Sequence, residues 1–180
     1  AMVGYPRNSV FMKERDLTIR GRLKLDGATN IAYMPTWRGV STGQVNVQDY
    51  VRSVNSILAQ VDDSLSDNQH MYVNFHSMGS DKISLGCFKH ITSFPTHVNN
   101  YDFLAQMDVL VTDYSSVLFD YALTGRPIIL FCYDEQEYLS DRGVYLQPED
   151  LPFPVVHSTK ELCSLFTKNE YASSKAEYDA

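Results

Sequence analysis

The sequence predicts an α/β fold: a Rossmann-like, open and mostly parallel sheet with helices on both faces. Short apolar runs alternate along the chain with longer segments of helical periodicity, which is typical of βαβ units. The apolar runs are continuous and lack the in-out alternation of half-exposed strands, so they suit parallel strands covered on both faces. With 180 residues, 44% of them hydrophobic, the chain can bury the core of one domain.

Five apolar runs are predicted to be strands, and Pro35 ends the first of them. The third is a short strand in an otherwise ambiguous segment. The predicted strands are 30–34, 71–75, 91–94, 109–112 and 128–132.

The clearest predicted helix covers 47–65, where apolar residues repeat at three- and four-residue steps. Asn46 is a suitable N-cap, and Asp49 complements the positive end of the helix. Shorter helices are predicted at 101–106, from the turn 113–116 to about Thr124 with Gly125 after it, and at 158–168. We expect residues 1–27 to be an entry segment packing on the domain, 28–168 the ligand-binding domain, and 169–180 a polar tail.

The charge balance excludes several classes of partner. Fifteen Lys and Arg against 22 Asp and Glu give a net charge of −7, so we expect no general binding to nucleic acid or anionic membranes. Three widely spaced cysteines favour a reducing compartment over a disulfide framework. No run is long enough for a spanning helix. Ala1-Met2 resembles an expression scar, and we expect the chain to be excised from a longer protein.

In an open parallel sheet, ligands bind beyond the carboxyl ends of the strands, here called the ligand edge. Several polar side chains are predicted to meet there. They are Thr36, Trp37 and Arg38 after the first strand, His76 and Ser77–Ser80 after the second, Asp113, Ser115 and Ser116 after the fourth, and Tyr133, Asp134 and Glu135 after the fifth.

This set favours a phosphate or pyrophosphate site. Ser115 and Ser116 open a helix, whose free N–H groups and dipole attract an anion. Arg38 can make forked contacts to phosphate oxygens, and His76 can donate to one of them or protonate a leaving group. Each residue also has a plainer interpretation. Ser115 and Ser116 can be plain helix caps, Arg38 a member of a surface ion pair, and His76 a hydrogen-bonded loop residue.

Other site types lack their motifs. The sequence contains no P-loop, no G-x-G-x-x-G, no nucleophile elbow and no Asp-x-Asp pair, and we predict no cofactor. The five histidines show no metal-ligand spacing, so no metal site is predicted either.

The residues resemble a known family. Residues 107–121, MDVLVTDYSSVLFDY, are similar to the signature "sDvLITDYSSvxFDy" of the CDP-glycerol glycerophosphotransferases, the teichoic-acid primases and polymerases. Further segments match in order from residue 4 to about 157. They are GYPRN at 4–8, YMPTWR at 33–38, FH at 75–76, RPII at 126–129, YD at 133–134, GVY at 143–145 and EDLP at 149–152. Ser9, Ser77 and Phe153 depart from the family pattern.

The resemblance implies that the chain is the C-terminal, donor-binding half of a GT-B enzyme. Such an enzyme transfers glycerol phosphate, or a related polyol phosphate, from CDP-glycerol to a hydroxyl of a cell-wall or capsule polymer and releases CMP. The positions implied to hold the donor pyrophosphate are Arg38, His76, Ser115 and Ser116. His76 is expected to aid the departure of CMP, and Asp113 to orient the turn or a glycerol hydroxyl.

The family also implies partners that are outside this chain. The acceptor is expected to be a lipid-linked polymer at the cytoplasmic face of the cell membrane, with the full protein peripheral there and this fragment soluble. The general base is expected on the missing N-terminal half. The fragment is therefore predicted to bind nucleotide weakly and to be inactive alone.

Two alternatives remain open. A nucleotide-sugar glycosyltransferase of the same architecture would hold a ribose with an acidic residue such as Asp120 or Glu135, and Asp134 is a further candidate for ribose or glycerol. The other alternative is a non-catalytic nucleotide-binding α/β module. A receiver-like module of this kind would need an acidic pair after the first strand and a Lys after the fifth, where the chain has Pro35, Thr36 and Trp37, and Cys132 and Tyr133.

Overall fold

The structure is a computed structural model that describes residues 6–36, 47–75, 83–141 and 146–171. Two short 3₁₀ turns, Pro6–Val10 and Pro148–Asp150, accompany the regular elements. In chain order the helices and strands of these ranges are α1 (Leu17–Leu23), β1 (Thr29–Tyr33), α2 (Val47–Ser64), β2 (Gln69–Val73), β3 (Ile91–Ser93), α3 (Asn100–Leu104), β4 (Val109–Thr112), α4 (Val117–Ala122), β5 (Ile128–Phe131), α5 (Glu135–Asp141), β6 (Val155–Val156) and α6 (Thr159–Lys168).

The described strands form one six-stranded sheet in the order β3-β2-β1-β4-β5-β6, and every neighbouring pair is parallel. This confirms the predicted fold class. The strand order reverses between β1 and β4, so the chain leaves these two strands toward opposite sides of the sheet. In a doubly wound fold such a switch point opens a crevice at the ligand edge.

The central strands are buried because helices cover both faces. Every residue of β4 and β5 is buried, as their continuous apolar sequences predict. One face of the sheet packs against α2 and α6 through side chains such as Leu58 and Phe166. The other packs against α3 and α4 through Phe103 and Tyr121.

The segment before β1 is packed on the domain as α1 and its flanking turns. Phe11 and Leu25 are buried in the same apolar cluster as α3 and α4. Asp16 caps α1 by accepting from Thr18 N and Ile19 N. Arg20, only 8% exposed, donates to the Gln106 carbonyl at 2.8 Å. The described part of this segment therefore contributes to the core, and the domain boundary at residue 27 stays a prediction.

Three elements, α1, α5 and β6, are not among the helices and strands predicted from the sequence. β6 has only two residues, too few for a pattern, and pairs with β5 through Leu130↔Val155 and Phe131↔Val156. The sequence of α5, EQEYLSD, has no apolar stripe at helical spacing. The predicted helix to Thr124 ends earlier, at Ala122, and Gly125 follows with a left-handed φ of 62°. No helix in the described ranges is both long and apolar enough to span a membrane.

Candidate functional site

The ends of β1 and β4 lie side by side at the switch point. Ile31, Ala32 and Tyr33 pair with Val109, Leu110 and Val111, so the loops after the two strands start from adjacent positions. Beyond the paired residues, Thr112 Oγ1 donates to the Met34 carbonyl at 2.7 Å. The predicted meeting of Thr36 and Asp113 at this edge is present in the structure.

Asp113 is buried, with 3% exposure, and its carboxylate contacts the loop after β1. Thr36 donates to it twice: the backbone N–H lies 2.8 and 3.0 Å from the two carboxylate oxygens, and Oγ1 lies 2.5 Å from Oδ1. A buried carboxylate needs such donors to offset its lost hydration. Asp113 therefore joins the two strand ends.

Ser115 and Ser116 lie in the turn before α4, which begins at Val117 as the sequence predicts. Ser115 is partly exposed, and its Oγ is 3.5 Å from Val117 N, a long and weak cap contact. Ser116 is exposed, and its side chain makes no cap hydrogen bond. Because α4 has only six residues, its dipole adds little, and the hydroxyls and turn N–H groups are the donors this turn offers.

Arg38 and His76, the two predicted cationic or titratable donors, lie outside the described residues. Trp37 and Ser77–Ser80 lie outside them as well. Their proposed contacts therefore stay predictions from the sequence.

Asp120 lies one turn inside α4 and is 5% exposed. The Tyr101 hydroxyl from α3 donates to its Oδ2 at 3.2 Å. The carboxylate thus contacts the interior of the domain between two helices, and it offers little surface to a ligand.

Asp134 and Glu135 line an open cleft beyond the carboxyl ends of β5 and β6. Both are partly exposed at the start of α5, next to Tyr133. Burial raises the pKa of the Cys132 thiol at the floor of this cleft to about 12, so it stays protonated at neutral pH. The residues that line the cleft are Cys132, Tyr133, Asp134, Glu135, Gln136, Glu137 and His157.

A histidine bridges two carboxylates at the rim of this cleft. His157 Nδ1 lies 3.4 Å from Glu135 Oε2, and Nε2 lies 3.6 Å from Glu149 Oε1. One ligand atom from each residue lies within 4.8 Å of the others, close enough for a shared cation. Each ring nitrogen lies near a different carboxylate, and exposed acidic groups are common without a bound cation. The sequence did not single out this trio because its members come from three separate elements.

A stacked tyrosine pair connects the two halves of the ligand edge. Tyr114, between Asp113 and Ser115, stacks on Tyr138 of α5 with ring centroids 3.9 Å apart and an interplanar angle of 13°. The two rings are nearly parallel and in direct contact. The turn before α4 is therefore fastened to the helix that lines the cleft.

Comparison with known proteins extends over nearly the whole chain. The family model for CDP-Glycerol:Poly(glycerophosphate) glycerophosphotransferase matches residues 1–179. A teichoic acid poly(glycerol phosphate) polymerase of Staphylococcus epidermidis is 33% identical over an alignment of 168 positions that covers 85% of this chain and 22% of that protein. A teichoic acid glycerol-phosphate transferase of Staphylococcus aureus is 30% identical over an alignment of 189 positions that covers 96% of this chain and 47% of that protein.

A solved structure agrees with the sequence comparisons. The wall teichoic acid polymerase TagF superposes with a TM-score of 0.73 and 29% identity, over 99% of this chain and 46% of that one. The chain thus spans less than half the length of these relatives. The family model matches residues 1–179, and these relatives match most of the chain. The chain therefore belongs to the CDP-glycerol:poly(glycerophosphate) glycerophosphotransferase family.

Proposed function

We propose that this chain is the donor-binding half of an enzyme that transfers glycerol phosphate, or a related polyol phosphate, from CDP-glycerol to a hydroxyl of a cell-wall polymer. The observation that carries the proposal is the match to this family along residues 1–179. The fold supports it, because the motif with Asp113, Ser115 and Ser116 follows β4 at the point where the strand order switches, and ligands of such sheets bind at switch points.

The reaction needs anion stabilisation more than covalent chemistry. The acceptor hydroxyl attacks the phosphorus that bears glycerol, a new P–O bond forms, and the P–O bond to CMP breaks. Negative charge spreads over the oxygens of the transferred group and grows on the departing CMP. Hydrogen-bond donors fixed around those oxygens lower the barrier, since they need no reorganisation during the reaction.

The donors we assign are two cationic or titratable side chains and two hydroxyls. Arg38 and His76 bind the pyrophosphate, and His76 aids the departure of CMP by donating a hydrogen bond or a proton. The partly exposed Ser115 and the exposed Ser116 donate to phosphate oxygens at the turn. Asp113 acts as an orienting residue, because its carboxylate already accepts from Thr36 and a bare carboxylate repels phosphate.

The cleft beyond β5 suits the nucleoside part of the donor. Asp134 and Glu135 are partly exposed there, and carboxylates accept hydrogen bonds from ribose or glycerol hydroxyls. Asp120, which is buried against Tyr101, is the weaker candidate for this role.

The remaining partners lie outside this chain. We propose that the acceptor is a lipid-linked polymer at the cytoplasmic face of the membrane, and that the general base belongs to the other half of the protein. The relatives are more than twice as long as this chain, which leaves room for such a half. Polymer extension by the isolated 180-residue chain would contradict this division of labour.

A ligand panel tests the proposal. Isothermal titration of the chain with CDP-glycerol, CDP, UDP and GDP is expected to rank the cytidine compounds first. Arg38→Met and Ser115→Ala should each weaken CDP-glycerol binding roughly tenfold, the loss of one charge-assisted contact. Arg52→Met, at an exposed site on α2, is the control and should bind as the unsubstituted chain does.

The same panel distinguishes the alternative. Tighter binding of UDP or GDP than of CDP would favour a nucleotide-sugar glycosyltransferase. Absence of binding by every cytidine compound at millimolar concentration would contradict the proposal.

A further inference from the structure

The junction between β1 and β4 continues beyond the last paired residues. The ladder ends at Tyr33↔Val111, yet Met34 N still donates to the Val111 carbonyl at 2.9 Å. Further along, Asp113 accepts from both donors of Thr36. The two chain segments are therefore joined up to the point where their loops diverge.

The contact between Thr36 and Asp113 places a carboxylate at an edge where we propose that phosphate binds. An ionised carboxylate accepts hydrogen bonds and donates none, and near a phosphate it would be repelled. Here the Asp113 carboxylate is 3% exposed and receives the Thr36 backbone N–H at 2.8 Å and Oγ1 at 2.5 Å. The contact therefore fixes the backbone of both loops beside the proposed anion site.

We infer that Thr36 and Asp113 are a positioning pair for the donor site. Arg38 follows Thr36 by two residues, and Ser115 follows Asp113 by two residues. Because two peptide units limit how far a residue can move from its anchor, the contact restricts where the Ser115 hydroxyl can lie relative to the end of β1. This inference rests on the proposed function. It assigns to the Thr36 side chain the role of holding the loop after β1 against Asp113, without contacting the donor itself.

Substitutions at Thr36 test the pair on the chain as it stands. Thr36→Val keeps the shape and the backbone N–H but removes the hydroxyl donor, whereas Thr36→Ser keeps the hydroxyl. We expect Thr36→Val to weaken CDP-glycerol binding roughly tenfold and CMP binding by less, because CMP lacks the second phosphate. Thr36→Ser should bind like the unsubstituted chain, which a general loss of packing would not predict.

Tyr171→Phe provides a matched control for loss of stability. Its buried hydroxyl accepts from Gln69 Nε2 at 2.9 Å, at the amino end of β2 and away from the ligand edge. We expect this variant to lose thermal stability and to retain CDP-glycerol affinity. Equal affinities of Thr36→Val and the unsubstituted chain, or equal losses for CDP-glycerol and CMP, would overturn the inference.

If Thr36→Val does not fold, amide hydrogen exchange of the unsubstituted chain tests the contact between Thr36 and Asp113 instead. The Thr36 amide should exchange far more slowly than an exposed loop amide. Rapid exchange would overturn the positioning role. Failure of the unsubstituted chain to bind CDP-glycerol would instead contradict the proposed function, and the exchange rate would still test the Thr36–Asp113 contact.

Discussion

Individual residues of the family motifs perform different tasks at opposite edges of the sheet. Asp113 lies at the ligand edge, whereas Arg126 precedes β5 at the amino edge and donates to the Ala105 and Met107 carbonyls at 2.6 and 2.7 Å. The Tyr121 hydroxyl donates to the same Met107 carbonyl at 2.9 Å. Burial raises the pKa of Tyr121 well above its ordinary value, so this phenol stays a donor. These contacts secure the turn that leads into β4.

Arg126→Met is therefore expected to destabilise the fold without affecting the donor site. Loss of two charge-assisted bonds to buried carbonyls should lower the free energy of unfolding by about 2–3 kcal/mol, measured by urea denaturation. Arg52→Met, which breaks only an exposed pair with Asp49, should change it by less than about 1 kcal/mol. CDP-glycerol affinity that falls in Arg126→Met while stability is kept would contradict this assignment.

Some residues of the proposed donor site could be predicted from the sequence, and others could not. Asp113, Ser115 and Ser116 could be placed at the ligand edge because a strand and a helix flank them in sequence. The role of Thr36 as donor to Asp113 could not, because it depends on contact between segments 77 residues apart. The Tyr114–Tyr138 stack and the Glu135–His157–Glu149 cluster were missed for the same reason.

At the scale of elements, α6 carries a complete set of end signals. Ser158 accepts from Glu161 N, and Glu161 in turn accepts from the backbone N–H groups of His157 and Ser158 at 2.8 and 3.2 Å. Asn169 closes the helix with a left-handed φ of 57°. Reciprocal capping of this kind satisfies N–H groups that the first turn leaves without helical partners.

Removal of the cap should cost a predictable amount. Ser158→Ala is expected to lower the free energy of unfolding by about 1 kcal/mol, the usual contribution of an N-cap hydroxyl. Thermal denaturation followed by circular dichroism measures the change. Ser164→Ala, on the same helix but away from its cap, is the control and should leave stability nearly unaltered. Equal losses in the two variants would show that the cap is not the cause.

The same cap predicts a pH dependence. Hydrogen bonds from the His157 backbone, and then from Ser158, lower the pKa of Glu161 below its ordinary value. Its contribution is complete above the ordinary pKa of a glutamate and declines as the pH falls toward the lower folded-state pKa, because the unfolded chain takes up the proton first. Glu161→Gln should flatten the acid limb of the stability curve between about pH 5 and 3. An unchanged slope in that variant would contradict the shift.

Elements with strong patterns could be predicted and weak ones could not. α2 has an apolar stripe along its full length, and β4 and β5 are continuous buried runs, so sequence and structure agree there. The two residues of β6 pair with β5, and Tyr138 of α5 stacks on Tyr114. The formation of β6 and α5 depends on tertiary contacts, which the periodicity of the sequence does not reveal.

At the scale of the whole molecule, the proposed binding residues and the supporting arginine contacts lie at opposite edges of the sheet. The strand order reverses between β1 and β4, and the predicted site residues that the structure describes follow β1, β4 and β5 on the ligand edge or lie one turn into α4. The arginines that make interior contacts, Arg20 and Arg126, donate to carbonyls of the α3–β4 turn at the amino edge. This separation explains why stability and donor affinity should respond to different substitutions.

An NMR titration of the isotope-labelled chain with CDP-glycerol tests the central claim most directly. We expect amide shifts to concentrate on residues 113–117, with further changes at 34–36 and 132–135, while 105–108 and 126 stay unchanged. Shifts that concentrate on the amino edge of the sheet, or a spectrum unaltered at millimolar CDP-glycerol, would contradict it.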